Sequence, residues 1–196
     1  SVAGLHGAAA VLVALREVEA NGGDGQVIDL ALAEPLFAAL GPHAADYRLT
    51  GTVKPRLGNR LAYTAPRNVY ATKDGKYVCL SGSTQGMAER LFTAIGRPEL
   101  IDDPRFRTTA DRLRHPDELD EAIGAFIRER TQAENVAFFE AQEVTVGPIY
   151  DVSQILEDPH FQARGLVQDY PDAEMGAIPM HAVLPRLSAT PGAIRS

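Results

Sequence analysis

Between Asn21 and Gly25 the chain reads Asn-Gly-Gly-Asp-Gly, and this break constrains the fold more than any other stretch. Three glycines within five residues end a helix and turn the chain. Before the break, residues 3–20 repeat apolar and small side chains at helical spacing, with Leu5, Ala9, Leu12, Val13 and Leu15 on a broad face. After it, residues 26–32 (QVIDLAL) form a short apolar run that predicts a strand. Residues 34–49 return to helical period, with Pro35 in the first turn, where a missing N–H costs nothing. Helix, tight turn, strand, helix is the rhythm of an α/β layer. One strand and two helices do not close such a layer, so these residues read as the end of a larger α/β domain. The first helix also starts with no basic segment ahead of it and reaches Arg16 and Glu17 too soon to span a bilayer. A chain opening inside an apolar helix reads as an internal piece of a longer polypeptide.

The pattern changes near Thr50. Residues 51–66 are rich in Gly, Pro, Arg and Asn without a clear period, which predicts a long linker loop. A hairpin is expected next, with strands at 68–72 and 76–81 around the turn chemistry of Asp74-Gly75. Helices are predicted at 85–95, 116–130 and 131–142, and Thr131 and Glu134 have capping-box spacing. A turn and short helix are expected at 102–106, a strand at 144–150, and short helices at 151–156 and 159–164. Strands and loops fill residues 166–187. The expected organisation is therefore residues 1–50 as the end of the large α/β domain and 51–66 as linker. Residues 67–145 make a small α+β domain, and 146–196 return to pack on the large one. The acidic residues Asp117, Glu118, Asp120 and Glu121 open a helix and read as its solvated face.

The 196 residues carry a net charge of −7 and no basic run longer than two residues, which argues against nucleic acid as a partner; no membrane partner is expected either. Cys79 is the one cysteine. A lone thiol forms no internal disulfide, so a reducing cytoplasm is the expected compartment. Its apolar setting reads as packing rather than nucleophilic chemistry. No spacing suggests a metal site.

Several short motifs occur in a fixed order. Ser1-Val2-Ala3-Gly4-Leu5 opens the first helix, and Gly25-Gln26-Val27-Ile28-Asp29-Leu30-Ala31-Leu32 follows the break. Then come Pro55-Arg56-Leu57-Gly58-Asn59-Arg60, the Lys73-Asp74-Gly75 turn, Asp102-Asp103-Pro104-Arg105-Phe106 and Gly147-Pro148-Ile149. Asp158-Pro159-His160-Phe161 with Ala163-Arg164-Gly165, and Leu187-Ser188-Ala189-Thr190-Pro191-Gly192, complete the series. No one of them is specific. Together, in register, the chain resembles the C-terminal half of the class III coenzyme A transferase family.

That resemblance implies a fold, a chemistry and a site. The fold would be the C-terminal part of a Rossmann-like large domain plus a small α+β domain, in a homodimer whose chains interlock. The chemistry would be covalent: an aspartate attacks an acyl-CoA thioester, an aspartyl-CoA intermediate forms, and an acceptor acid collects the CoA. No cofactor is implied, because the coenzyme A thioester is itself substrate. The nucleophile would be the residue just before Ser1, so no residue here is catalytic and this chain alone is expected to be inactive. It would need the N-terminal half of the same enzyme. Asp24 and Asp29 read as structural, and His6 as a packed side chain. The implied substrate and CoA contacts are Ser1, Val2, Ala3, Leu32, Gly58, Asn59, Arg60, Leu61, Ala62 and Tyr63. In formyl-CoA transferase a glycine-rich flap covers the intermediate at this loop. Leu61-Ala62-Tyr63-Thr64 replaces those glycines here, which suggests a larger or more apolar acyl group. Arg56, Arg60 and Arg67 are candidates to meet a carboxylate or phosphate. Two other readings stand beside this one: an α-methylacyl-CoA racemase on the same scaffold, and a non-catalytic subunit or truncated fragment.

Overall fold

The glycine break does stop the first helix. In the computed structural model, which describes residues 1–194, α1 spans Val2–Asn21 and ends on Gly22 in the left-handed region (φ 68°). Two compact units follow from the chain path, Ser1–Arg56 and Leu57–Ser196. The dividing point falls inside the sequence 51–66.

The first unit holds α1, α2 (Ala33–Ala39) and α3 (His43–Thr50), and α1 packs against α2. The single helix expected over 34–49 is two, because Gly41 takes a positive φ (63°) and Pro42 follows it. The strand expected at 26–32 belongs to no ladder. A strand needs a neighbour to receive its N–H and C=O groups, and the described residues of this unit supply none. The unit has almost no interior: among its residues only Pro35 is buried, while Leu5 is 73% and Leu32 78% exposed.

The second unit contains the core. Strands β1 (Arg67–Ala71) and β2 (Tyr77–Ser81) pair antiparallel around Gly75 (φ 74°), and β3 (Thr145–Ile149) pairs antiparallel with β2. This order sets Cys79 between Val69 and Gly147, and its thiol donates to the Gly147 carbonyl at 3.4 Å. Alternate residues Tyr70, Val78 and Leu80 turn to the other face and are buried. Helices α4 (Gln85–Ala94), α6 (Pro116–Arg128) and α7 (Gln132–Ala141) supply the facing residues, among them Leu91, Phe92, Leu119, Ile123, Ile127 and Phe139.

Caps explain where these helices start. The Thr131 hydroxyl accepts from the Glu134 N–H, and the Glu134 carboxylate accepts from the Thr131 N–H at 2.7 Å, a complete capping box. Buried Asn135 joins α6 to α7, because its side-chain amide donates to the carbonyls of Ile127, Arg130 and Thr131. The short helix expected at 102–106 is only a turn, in which Phe106 and Arg107 N–H groups donate to the Asp103 carbonyl. Helical turns lie on either side instead: a 3-10 helix at Pro98–Ile101 and α5 at Thr109–Arg114, capped by Thr108. Beyond β3 come α8 (Val152–Glu157), α9 (Pro159–Ala163) and a hairpin of β4 (Val167–Asp172) with β5 (Gly176–His181). No helix among the described residues is long and apolar enough to cross a membrane.

Candidate functional site

The loop after Arg56 is short of regular structure but not of anchors. Gly58 has a positive φ of 63°, and the Arg60 N–H donates to the Leu57 carbonyl at 3.3 Å. Leu61 and Thr64 then bridge across a turn. The Thr64 hydroxyl donates to the Ser83 carbonyl at 3.2 Å, and the Gly82 N–H donates to the Pro66 carbonyl at 2.8 Å. A Cβ on residue 82 would stand 2.9 Å from the Pro66 ring, so only glycine permits this approach. Thr64, Ala65 and Pro66 are buried, Leu61 is half-buried, and Tyr63 at the tip is 73% exposed.

Two side chains from the α5–α6 segment hold the flanks. Arg112 is fully buried, and its guanidinium donates to the carbonyls of Ala65 (2.7 Å) and Phe106 (2.9 Å), to Gln85 Oε1 (3.1 Å) and to Thr109 Oγ1 (2.9 Å). Burial holds this cation below the usual arginine range. Four acceptors offset its lost hydration. On the other flank, Arg60 Nε donates to Asp120 Oδ2 at 2.6 Å and Arg60 Nη2 pairs with Asp117 Oδ1 at 2.8 Å. Burial works against the Arg60 cation, but hydrogen bonds to Asp117 and Asp120 outweigh it and raise its pKa.

Asp120 is thus not part of a solvated face. Its side chain is 16% exposed and also accepts from Asn68 Nδ2 (2.7 Å) and Tyr70 Oη (2.6 Å). Burial, then the neighbouring carboxylate, push the Tyr70 phenol well above its ordinary range. One signal for this was present in the sequence: Asp120 stands three residues before Ile123 and seven before Ile127, on the apolar stripe of α6. Arg112 carried no comparable signal, because two of its four acceptors are backbone carbonyls and none is a carboxylate.

The other candidates lie where the sequence put them, without new partners. Ser1 precedes α1, and its carbonyl accepts from the Leu5 N–H at 3.0 Å; Val2 and Ala3 form the first turn. Leu32 stands at the N-cap of α2, and Gly58 and Asn59 are exposed. His6 is exposed on α1 in this portion of the protein, with Nδ1 3.0 Å from the Val2 carbonyl. Residues 58–66 hold no carboxylate, thiol, imidazole or amine. The turn can shape a pocket and donate hydrogen bonds, but it has no carboxylate to act as nucleophile.

The comparison with known proteins decides the family. Residues 1–196 match CoA-transferase family III over their whole length. The chain belongs to CoA-transferase family III. Among family III relatives, it is 38% identical over 194 residues to a succinyl-CoA–D-citramalate CoA-transferase of Chloroflexus aurantiacus, covering 99% of this chain and 48% of that protein. It is 33% identical to a succinyl-CoA–L-malate CoA-transferase alpha subunit of Chloroflexus aurantiacus, covering 98% of this chain and 45% of the relative. A crystal structure of a CaiB/BaiF family protein from Brucella suis superposes with a TM-score of 0.81 at 28% identity, over 97% of this chain and 48% of that one. The mixed α/β architecture with small sheets is therefore that of family III, and the chain spans about half the length of the relatives it matches.

Proposed function

We propose that this chain is the C-terminal portion of an enzyme moving coenzyme A from an acyl-CoA to a carboxylic acid, with the turn at residues 61–64 bordering the acyl group. The observation that carries the reading is likeness to a named succinyl-CoA transferase sustained along 99% of the chain. Succinyl-CoA as donor and a short dicarboxylic acid as acceptor are the substrates this likeness favours. The turn supports it: Leu61 and Ala62 offer apolar surface, and the exposed Tyr63 phenol offers a hydrogen-bond donor.

The chemistry needs a carboxylate nucleophile, which the turn lacks. In this reading an aspartate of the other half, expected immediately ahead of Ser1, attacks the thioester carbonyl and expels CoA thiolate; the thiolate then opens the mixed anhydride at the aspartyl carbonyl, releasing the donor acid and leaving an aspartyl-CoA thioester. Ser1, Val2 and Ala3 would flank it, and Leu32 would face the acyl chain. No cofactor takes part. The polypeptide would work in a reducing compartment, as one portion of a homodimer. Exposed apolar side chains support a covering partner for the first unit. Leu5, Leu12 and Val13 are each about two-thirds exposed or more, far from a monomer's usual surface. We assign that cover to the N-terminal half of the same enzyme.

The test is an exchange assay on the complete enzyme with succinyl-CoA and D-citramalate, L-malate or glutarate, read by mass spectrometry of the CoA esters. CoA transfer and a covalent CoA adduct on an aspartate outside residues 1–196 are expected, with no transfer by the 196-residue chain alone. Loss of an α-hydrogen without CoA exchange would instead identify a racemase. Full activity of the chain alone would end the reading.

A further inference from the structure

We propose that Asp120 is a positioning residue for the turn at residues 61–64, acting through Arg60. The proposal rests on the reading that this turn borders the acyl group.

The geometry is that of a tether. Arg60 immediately precedes the turn, and Ala65 immediately follows it. Asp120 holds the first and Arg112 the second, at 2.6 Å and 2.7 Å. Asp120 does not act as a simple ion-pair partner, because Asn68 and Tyr70 of β1 donate to the same carboxylate. The carboxylate therefore fixes Arg60 relative to both α6 and the sheet. The second leg of Arg60 reaches Asp117, which is 88% exposed and contributes little through water. The cost of a carboxylate on the α6 stripe is a second sign of its purpose. A leucine at 120 would extend the contact made by Ile123 and Ile127; the carboxylate satisfies three donors instead. Neither anchor reaches the tip, so Tyr63 stays exposed while its flanks are held. Such a loop presents one shape to a ligand without an ordering cost at binding.

The experiment uses the complete enzyme with Asp120→Asn, Arg60→Gln, their double variant, Tyr63→Ala, and Glu121→Gln as a control. Glu121 pairs with Arg128 away from the turn. Two readouts are taken: hydrogen exchange of the amides at 61–64, and kcat/KM for acetyl-CoA and for succinyl-CoA with glutarate as acceptor. For Asp120→Asn and Arg60→Gln we expect faster exchange at the turn and a drop in kcat/KM for succinyl-CoA of about 10–100-fold. The drop for acetyl-CoA is smaller, so the ratio between the two substrates moves. The double variant is no worse than the more severe single change, because both cut one link. A merely structural role would lower both substrates alike through the active fraction and would leave the ratio fixed. If Asp120→Asn does not fold, Arg60→Gln breaks the same link from a half-exposed position. If Tyr63→Ala shifts the substrate ratio while Asp120→Asn and Arg60→Gln do not, the positioning role is refuted and the reading of the turn survives. If Tyr63→Ala leaves the ratio unchanged, the reading of the turn fails and the proposal falls with it.

Discussion

Arg112 and Ala65 meet through a 2.7 Å hydrogen bond from guanidinium Nε to carbonyl oxygen, and both residues are buried. The contact spans 47 positions of sequence and stitches the entry loop to α5. Replacing Arg112 by Met keeps the bulk but leaves two buried carbonyls, at Ala65 and Phe106, without this donor. The loss expected is about 3–5 kcal/mol of unfolding free energy. Arg112→Lys should recover only part of it, since an ammonium cannot span four acceptors in a plane. Urea unfolding of the three proteins measures both.

The core makes a second claim. Ile123 is fully buried against the sheet. Ile123→Ala should cost about 2–5 kcal/mol through lost transfer energy and the cavity left behind. Thr131→Ala, which opens the capping box of α7, should cost about 1 kcal/mol. Equal effects from the two changes would contradict the placement of the core; denaturant midpoints at constant slope separate them.

Acid stability follows from carboxylates held below their ordinary range. Arg105, through its side chain and backbone N–H, holds the Asp103 carboxyl down to about 2. The backbone and hydroxyl of Thr131 lower Glu134, and the Thr72 hydroxyl lowers Asp74. A folded pKa below the unfolded one gives stability that is present above the unfolded value and lost as pH falls through the folded value. For Asp103 that window runs from an ordinary 3.8 down to about 2. The unfolding midpoint should therefore be flat from pH 7 to about 5 and fall below about 4. In Asp103→Asn the fall should be shallower; a steeper fall would reverse the assignment. Titration of the urea midpoint against pH measures it.

The two units should differ in protection. No residue of α1 is buried, whereas α4, α6 and α7 surround the core. In the 196-residue chain alone, amides of α1 should exchange close to the local-fraying limit, and those of α6 and α7 with the slowest rates. In the complete enzyme α1 should gain protection as its apolar face is covered. Slow exchange of α1 in the isolated chain would contradict the exposure described.

How much of this could be read from sequence depends on whether the signal is local. The hairpin at Asp74-Gly75, the capping box at Thr131 and the helix stop at Gly22 are decided within a few residues, and each formed where its chemistry predicted. The run at 26–32 failed as a strand because pairing is not local: its apolar residues say that it is buried in something, not by what. Asp120 was misread for a related reason. Its neighbours Asp117, Glu118 and Glu121 face water, and the sequence alone does not show that Arg60, Asn68 and Tyr70, 50 to 60 positions away, converge on one of the four. The turn at 61–64 was legible as a loop but not as a tethered one.

The approach of Gly82 to Pro66 carries a consequence for how this loop can diversify. A methyl group at 82 collides with a ring whose carbonyl the same residue's N–H grips, 2.8 Å away. The hydrogen bond is made by backbone atoms and survives a change of either side chain, so the constraint is one-sided: a side chain at 82 needs the Pro66 ring to give way first. The tip meets no such wall: Ala62 and Tyr63 are exposed, so side chains there can be exchanged to suit a different acyl group without unseating the hinge beneath them.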